Sequence, residues 1–375
     1  MQAVEWGEYE LQKLFTSSNG DFDIQKTHIN DRGDYVITAG LTDNGVLGKT
    51  DINSKIFNKG TITVDMFGCA FYRQFPYKMV THARVFSLKP LLEFTDKQGI
   101  FLATSLNFLK QEFGYGNMCS WEKIKTKVIQ LPVKYGQIDF EFMEQFIAEL
   151  EARRVAELNN YLLITGLKDY SLTVEEEKTL SDFNAMTWGT CKVGSLFERV
   201  KTKKLSYKAK DLPKSPFKEY VLPALTSSFQ NQGLNYYVPI VGATVLNDVI
   251  SIPSNSDVYR AYYQSKEFTV LSDAYAIRWR DEKERLLPQQ YLFFVMCINK
   301  VTDLPIYSYK NKLGGWNVVK NKQIMIPTKN GEIDFGFMKN FISAIQKLVI
   351  KDVVLYADSK IEATKSVIKS NIYKF

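Results

Sequence analysis

The chain has 375 residues, 45% of them hydrophobic and 14% aromatic, with 48 basic against 41 acidic side chains and a net charge of +7. Such aromatic content excludes disorder as the main state, the length allows two or three domains, and the modest positive balance permits a polyanion partner without requiring one. Four scattered cysteines (Cys69, Cys119, Cys191, Cys297) and only two histidines (His28, His82) argue against a zinc finger or a disulfide scaffold and for a reducing compartment.

In chain order, the first ten residues are polar and acidic, without the basic and apolar regions of a secretory signal. Asp34–Ala39, Gly60–Asp65 and Ala83–Leu88 are β-branched or aromatic runs bounded by Gly, Asn, Asp or Pro, a strand signature. Ile100–Phe113 carries apolar residues at helical spacing, with Tyr291–Ile298 as its counterpart. Strands ending in proline follow at Leu131-Pro132 and Ile326-Pro327. From Asp139 the apolar positions Phe142, Phe146, Leu150, Leu158 and Leu162 predict an exposed amphipathic helix of about 20 residues. Thr173 to Glu176 reads as a capping box opening a short helix. Asp334 caps the second long helix, whose apolar face is Phe337, Phe341, Ile345 and Leu348. The longest apolar run, Tyr291–Ile298, is too short to span a bilayer. The expectation is a cytoplasmic protein with no membrane partner.

The two halves repeat. Pro132–Ile147 and Pro327–Ile342 share 10 of 16 residues at an offset of 195. Trp121 and Trp316 keep that offset, and Trp6 with Leu14-Phe15 matches Trp188 with Leu196-Phe197 at 182. Between these lie Tyr35-Val with Tyr220-Val at 185, Phe71-Tyr72-Arg73 with Val258-Tyr259-Arg260 at 187, and Gln98–Asn107 with Gln290–Asn299 at 192. The order is kept and the offset never falls, which identifies a tandem duplication. The boundary lies near Thr187, and the four recurring tryptophans read as core anchors. Two related amphipathic helices bury their apolar faces most simply on each other; the alternative is that each packs back on its own domain. Twenty residues then span about 30 Å, near one turn of B-DNA.

The duplicated layout, the Trp…Leu-Phe starts, the Tyr35-Val-Ile-Thr-Ala-Gly40…Gly45-Val…Gly48 stretch, Gly60–Asp65 with Ala70-Phe-Tyr-Arg73, and the Ile-Asp-Phe-x-Phe-Met closings resemble the specificity subunit of type I restriction–modification systems. They equally resemble the related subunit of bipartite type II systems. The resemblance implies an α/β (α+β) fold: two tandem target-recognition domains of mixed sheet and helix, joined by an antiparallel coiled-coil spacer. The domains then span 1–138 and 185–333; spacer helices with their linker and tail span 139–184 and 334–375, packed through Phe142, Phe146, Leu150, Phe337, Phe341 and Ile345. It also implies that each domain reads half of an interrupted double-stranded DNA site. The helices dock two methyltransferase subunits for N6-adenine methylation, with an endonuclease/translocase subunit added for restriction. S-adenosylmethionine, Mg²⁺ and ATP belong to those partners; this chain holds no cofactor. One departure is that the second copy has Ala224–Gly233 in place of the Gly-rich loop.

Catalytic motifs do not appear. A methyltransferase Pro-Pro-aromatic motif is excluded because no two prolines adjoin. Gly48-Lys49-Thr50 lacks the upstream glycine of a phosphate loop. Glu176-Glu177-Lys178 has nuclease-like spacing without a preceding acidic strand residue, and reads as a solvated helix face. The chain is expected to be non-catalytic on its own. Nine basic residues between Lys192 and Lys218, Lys203 and Lys204 among them, face only Glu198 and Asp211, and suit phosphates. Base readers must be Arg, Lys, Asn or Gln on loops. The candidates are Asn44, Lys49, Arg73, Lys78 and Arg84 in the first copy, and Gln230, Asn231, Gln232, Arg260 and Lys266 in the second. The rival expectation is a tandem protein- or glycan-binding adaptor with no DNA partner.

Overall fold

The structure, a computed structural model, describes residues 4–255, 259–281, 283–304, 306, 310–311 and 313–372. Residue contacts divide the chain into two bodies, residues 1–160 together with the end of the last helix from Ala357, and residues 161–356.

The first half runs β1 (Glu5–Glu10), β2 (Phe15–Asn19), β3 (Asp34–Ile37), β4 (Val46–Thr50), β5 (Thr61–Val64), β6 (Ala70–Arg73), β7 (Tyr77–Met79), β8 (Phe86–Pro90), α1 (Asp96–Ser105), α2 (Leu109–Glu112), α3 (Trp121–Ile124), β9 (Val128–Lys134), β10 (Gln137–Ile138) and α4 (Phe140–Ile164). After α5 (Val174–Ser181), the second half runs β11 (Trp188–Lys192), α6 (Val193–Leu196), β12 (Phe197–Arg199), β13 (Tyr220–Leu225), β14 (Leu234–Pro239), β15 (Val249–Pro253), β16 (Tyr262–Gln264), β17 (Thr269–Val270), β18 (Ala274–Trp279), α7 (Pro288–Thr302), α8 (Trp316–Val319), β19 (Gln323–Lys329), β20 (Glu332–Ile333) and α9 (Phe335–Ile372).

Each half builds the same three sheets. β1-β9-β10 matches β11-β19-β20, β2-β8-β5-β6 matches β12-β18-β15-β16, and β4-β3-β7 matches β14-β13-β17. Register is kept as well: Trp6 lies opposite Pro132, and Trp188 opposite Pro327. Both β3 and β13 pair antiparallel with the next strand and parallel with a later one. The cores repeat position by position. Phe15, Ile62, Leu102, Ile129 and Met143 are buried in the first half; Phe197, Ile250, Phe294, Ile324 and Met338 are buried at the matching places in the second. Burial of such side chains contributes about 1.5–3 kcal/mol each.

The closing Ile-Asp-Phe-x-Phe-Met segment works identically in both copies. Asp139 and Asp334 each accept the backbone N–H three residues on, from Phe142 and Phe337, at 2.8 Å. This caps the N-terminus of α4 and of α9. Gln98 and Gln290 each donate to the first helical carbonyl, of Phe140 and Phe335, at 3.3 Å.

Several expectations need correction. The intermediate repeat matches are out of step. Ile37 and Leu225 occupy equivalent sites, each paired to the first residue, or its matching position, beyond the loop, an offset of 188 rather than 185. Arg73 matches Gln264, not Arg260, because β6 and β16 pair equivalently with β5 and β15; Val258 of the proposed match lies outside the described residues. The offset also falls once: Met79 and Val270 differ by 191, but Leu88 and Ile277 by 189.

The helices are longer than expected, 25 residues for α4 and 38 for α9. Met143 and Ile147 are the fully buried positions at the start of α4, whereas Phe146 and Leu150 are exposed. In the second half Phe337 is buried, Phe341 half-buried and Ile345 exposed. Trp6 is half-exposed rather than a core anchor. Glu176 is not a solvated residue: it is 5% exposed and accepts from Ser343 Oγ at 2.5 Å and Lys347 Nζ at 2.9 Å, fastening α5 to α9.

Candidate nucleic-acid interface

In the first half β3 and β4 are joined by a turn that holds Asp43 at φ 46° and Asn44 at φ 53°, with Gly45 at φ 77°. Left-handed backbone is costly for residues bearing a Cβ, least so for Asn and Asp. Gly45 is required there, since a Cβ would stand 2.7 Å from the Thr38 carbonyl oxygen. The turn is held from two sides. Buried Asp65 accepts the Gly40 N–H at 2.8 Å, and also those of Phe67 and Cys69. Arg73 donates from Nη2 to the Asn44 carbonyl at 2.8 Å and from Nε to Thr63 Oγ1 at 2.9 Å.

The second half builds the same turn from other residues. Asn231 and Gln232 have φ 45° and 54°, and Gly233 follows at 86°. The Thr226 N–H donates to Gly233 as that of Thr38 does to Gly45, at 2.9 and 2.8 Å. Gln264 replaces Arg73: its Nε2 donates to Ser251 Oγ at 3.0 Å and to the Gln232 carbonyl at 3.4 Å. The loop expected to be missing from the second copy is therefore present in shape. Gly45 has its counterpart in Gly233, and only Gly40 and Gly48 give way, to Ser228 and Tyr236; the left-handed pair is Asp43-Asn44 in one copy and Asn231-Gln232 in the other.

Two candidate base readers are corrected by their surroundings. Arg73 is 2% exposed, and burial draws its guanidinium down to about 10. Lys78 is 4% exposed; its ammonium donates to the carbonyls of Thr50 and Ile52 and lies 3.5 Å from Asp34. Arg73 ties the β3–β4 turn to β5, and Lys78 ties β7 to the end of β4 and the start of β3. Lys49 is half-buried on β4 with Nζ 4.6 Å from the Tyr35 ring centre. Asn44 is exposed at the tip, and Arg84 is exposed in a separate left-handed turn at φ 49°. In the second half Gln230, Asn231 and Gln232 stand exposed together at one tip, with Lys266 exposed on a different loop. Arg260 is exposed but paired with Asp303 at 2.8 Å. Lys203 and Lys204 lie in the basic stretch after β12, where Lys201, Lys208, Lys210, Lys214 and Lys218 are exposed too. Among the described residues none of these seven lysines forms an ion pair.

A cleft of about 410 Å³ flanks the first tip, lined by Asn44, Phe71, Gln74, Asn107 and Lys110 among others. The last three were missed in the sequence, because their meeting at the tip depends on how α1 and the following turns pack on β6. Asn107 has a matching Asn299 that instead bonds both backbone groups of Ala261, so identity at a matched position did not mean a shared role. Among the described residues no group of three His, Cys, Asp or Glu is placed to hold a metal ion, and no helix is long and apolar enough to cross a membrane. The four cysteines are unbonded.

Comparison with known proteins adds the following. Residues 3–160 match the family described as the type I restriction modification DNA specificity domain. The chain is 19% identical over 354 residues to the specificity subunit S.BcgI of a type II restriction enzyme from Heyndrickxia coagulans, covering 92% of this chain and 96% of that one. Among solved structures it is similar to the S subunit of a type I restriction-modification system from M. genitalium, with a TM-score of 0.56 at 14% identity, over 99% of this chain and 96% of that one. The last likeness bears on the fold, and agrees with the mixed sheet-and-helix architecture expected from the sequence.

Proposed function

We propose that this chain, whose residues 3–160 belong to the type I restriction modification DNA specificity family and whose second half repeats the same elements, recognises a bipartite double-stranded DNA site. Each half reads one part. The observation that carries this is the paired presentation of exposed polar tips, Asn44 in one half and Gln230, Asn231 and Gln232 in the other, on the same clamped turn. Amide side chains pair bidentately with adenine edges in the major groove. Exposed Lys203, Lys204 and their neighbours bind phosphates, which adds affinity but no sequence preference.

In this reading α4 and α9 lie against each other as the spacer and dock two methyltransferase subunits, which methylate adenine N6 and bring S-adenosylmethionine. An endonuclease/translocase subunit with Mg²⁺ and ATP completes a restriction complex. The support for docking is that each helix exposes large apolar residues, Phe146 and Leu150 on α4 and Ile345, Leu348 and Val349 on α9. Uncovered apolar stripes of this size call for a partner. The chain itself acts as a recognition subunit without its own catalysis.

The test is a mobility-shift series on random-sequence duplex across salt, with and without the methyltransferase. Sequence-independent binding that weakens with salt, sharpening to a bipartite site with the partner, is the expected result. Absence of binding in every condition removes the DNA function and leaves a protein- or glycan-binding adaptor.

A further inference from the structure

Thr38–Gly45 and Thr226–Gly233 are one loop built twice, residue for residue at an offset of 188. Beyond the shared hydrogen bond and backbone twist, each tip exposes a large apolar side chain at the same step: Leu41 is 63% exposed and Phe229 55%. Three polar residues follow, Thr42-Asp43-Asn44 in one and Gln230-Asn231-Gln232 in the other, all exposed. Strained left-handed pairs persist only where the surroundings hold them, and here the surroundings are Arg73 in one half and Gln264 in the other. Frame is thus constant while the four exposed side chains differ at every position.

We infer that residues 41–44 and 229–232 set the base preference of each half, with Arg73 and Gln264 as positioning residues beneath them. This rests on the DNA reading above and adds which side chains do the discriminating and for what. In the second tip the amides of Gln230 and Gln232 match adenine N6 and N7, while Asn231 Nδ2 donates to the Leu234 carbonyl at 2.5 Å and shapes the turn. In the first tip Asp43 accepts from cytosine N4 and Asn44 pairs with adenine. Leu41 and Phe229 meet thymine methyls or deoxyribose faces. The second body therefore takes the more A·T-rich half-site, and the first requires a G·C pair.

Two variants of the full chain test this in a selection from random duplexes with the methyltransferase present. One carries T42Q, D43N and N44Q together; the other exchanges the whole of residues 39–44 for 227–232. The triple variant alters only exposed side chains, so it reports even if the exchange disturbs folding. Both should change one half of the selected site towards the other half and leave the second half as it was. Affinity for the original duplex should fall about tenfold or more. An unchanged site in the triple variant, with the parent still selecting a bipartite sequence, overturns this inference and leaves the DNA function standing. A parent chain that selects no sequence overturns both.

Discussion

Arg73 donates to the main-chain carbonyl of Asn44 at 2.8 Å from a buried position. The arginine thus shapes the turn from behind while the asparagine is exposed at its tip. Removing its charge and reach with Arg73→Met leaves that carbonyl and the Thr63 hydroxyl without their donor, at a cost of about 1–3 kcal/mol. Arg73→Gln should lose much less, since Gln264 already performs the same task at the matching place. Amide exchange at residues 40–45 should accelerate in Arg73→Met and stay near normal in Arg73→Gln; equal behaviour of the two variants would contradict the clamp.

Burial opposes ionisation of Glu176, but hydrogen bonds from Ser343, the Thr173 N–H and Lys347 outweigh it and hold its carboxyl below the usual glutamate range. A depressed pKa in the folded state stabilises above the unfolded value and is lost as pH falls through the folded one. Thermal stability of the second body should therefore drop on acidification below the ordinary glutamate pKa. Glu176→Gln, which leaves Lys347 without its buried partner, should cost about 2–4 kcal/mol near neutrality. It should also flatten the acid limb of a melting-temperature profile.

Charge reversal at Lys203 and Lys204 should weaken binding to every duplex alike. Each lost phosphate contact should shallow the slope of log affinity against log salt by about 0.9. A sequence-selective loss would mean that these lysines reach bases.

An aspartate on either long helix separates folding from assembly only at the right position. Phe341 stacks on Phe183 at 4.9 Å and on Phe337 at 5.9 Å, and Phe142 packs against the core of the first body. Charges at Phe341 or Phe142 should lower stability as well as assembly. Phe146, though exposed, packs on Phe142 and Phe101, so the separating variants are Leu150→Asp and Leu348→Asp, which alter exposed side chains and should leave melting unchanged while abolishing co-purification with the methyltransferase. Normal co-purification of both would remove the docking role.

Cys69, Cys119 and Cys297 are buried, and burial raises their thiols to about 11, 12 and 12. At pH 8 a thiol-specific alkylating reagent should modify the half-exposed Cys191 first, with the other three reacting only on unfolding. Mass spectrometry of the labelled peptides checks the burial directly.

The duplication, the mixed strand-and-helix character and the capped long helices were legible because their causes are local. Identical residues at Pro132–Ile147 and Pro327–Ile342 carry the same caps, and periodic apolar positions force the same burial. The loop pair was hidden for the opposite reason. Asp-Asn-Gly and Asn-Gln-Gly look unrelated in letters; Asp, Asn and Gly tolerate left-handed backbone, Gln232 is held there by its clamp, and only strand pairing brings Arg73 under one turn and Gln264 under the other. Sequence alone determined that the chain is a doubled module with basic, amide-rich loops. The tertiary structure decided which of those polar groups face solvent and which, like Arg73, Lys78 and Glu176, are used up inside, because a buried charge persists only where packed neighbours supply its partners.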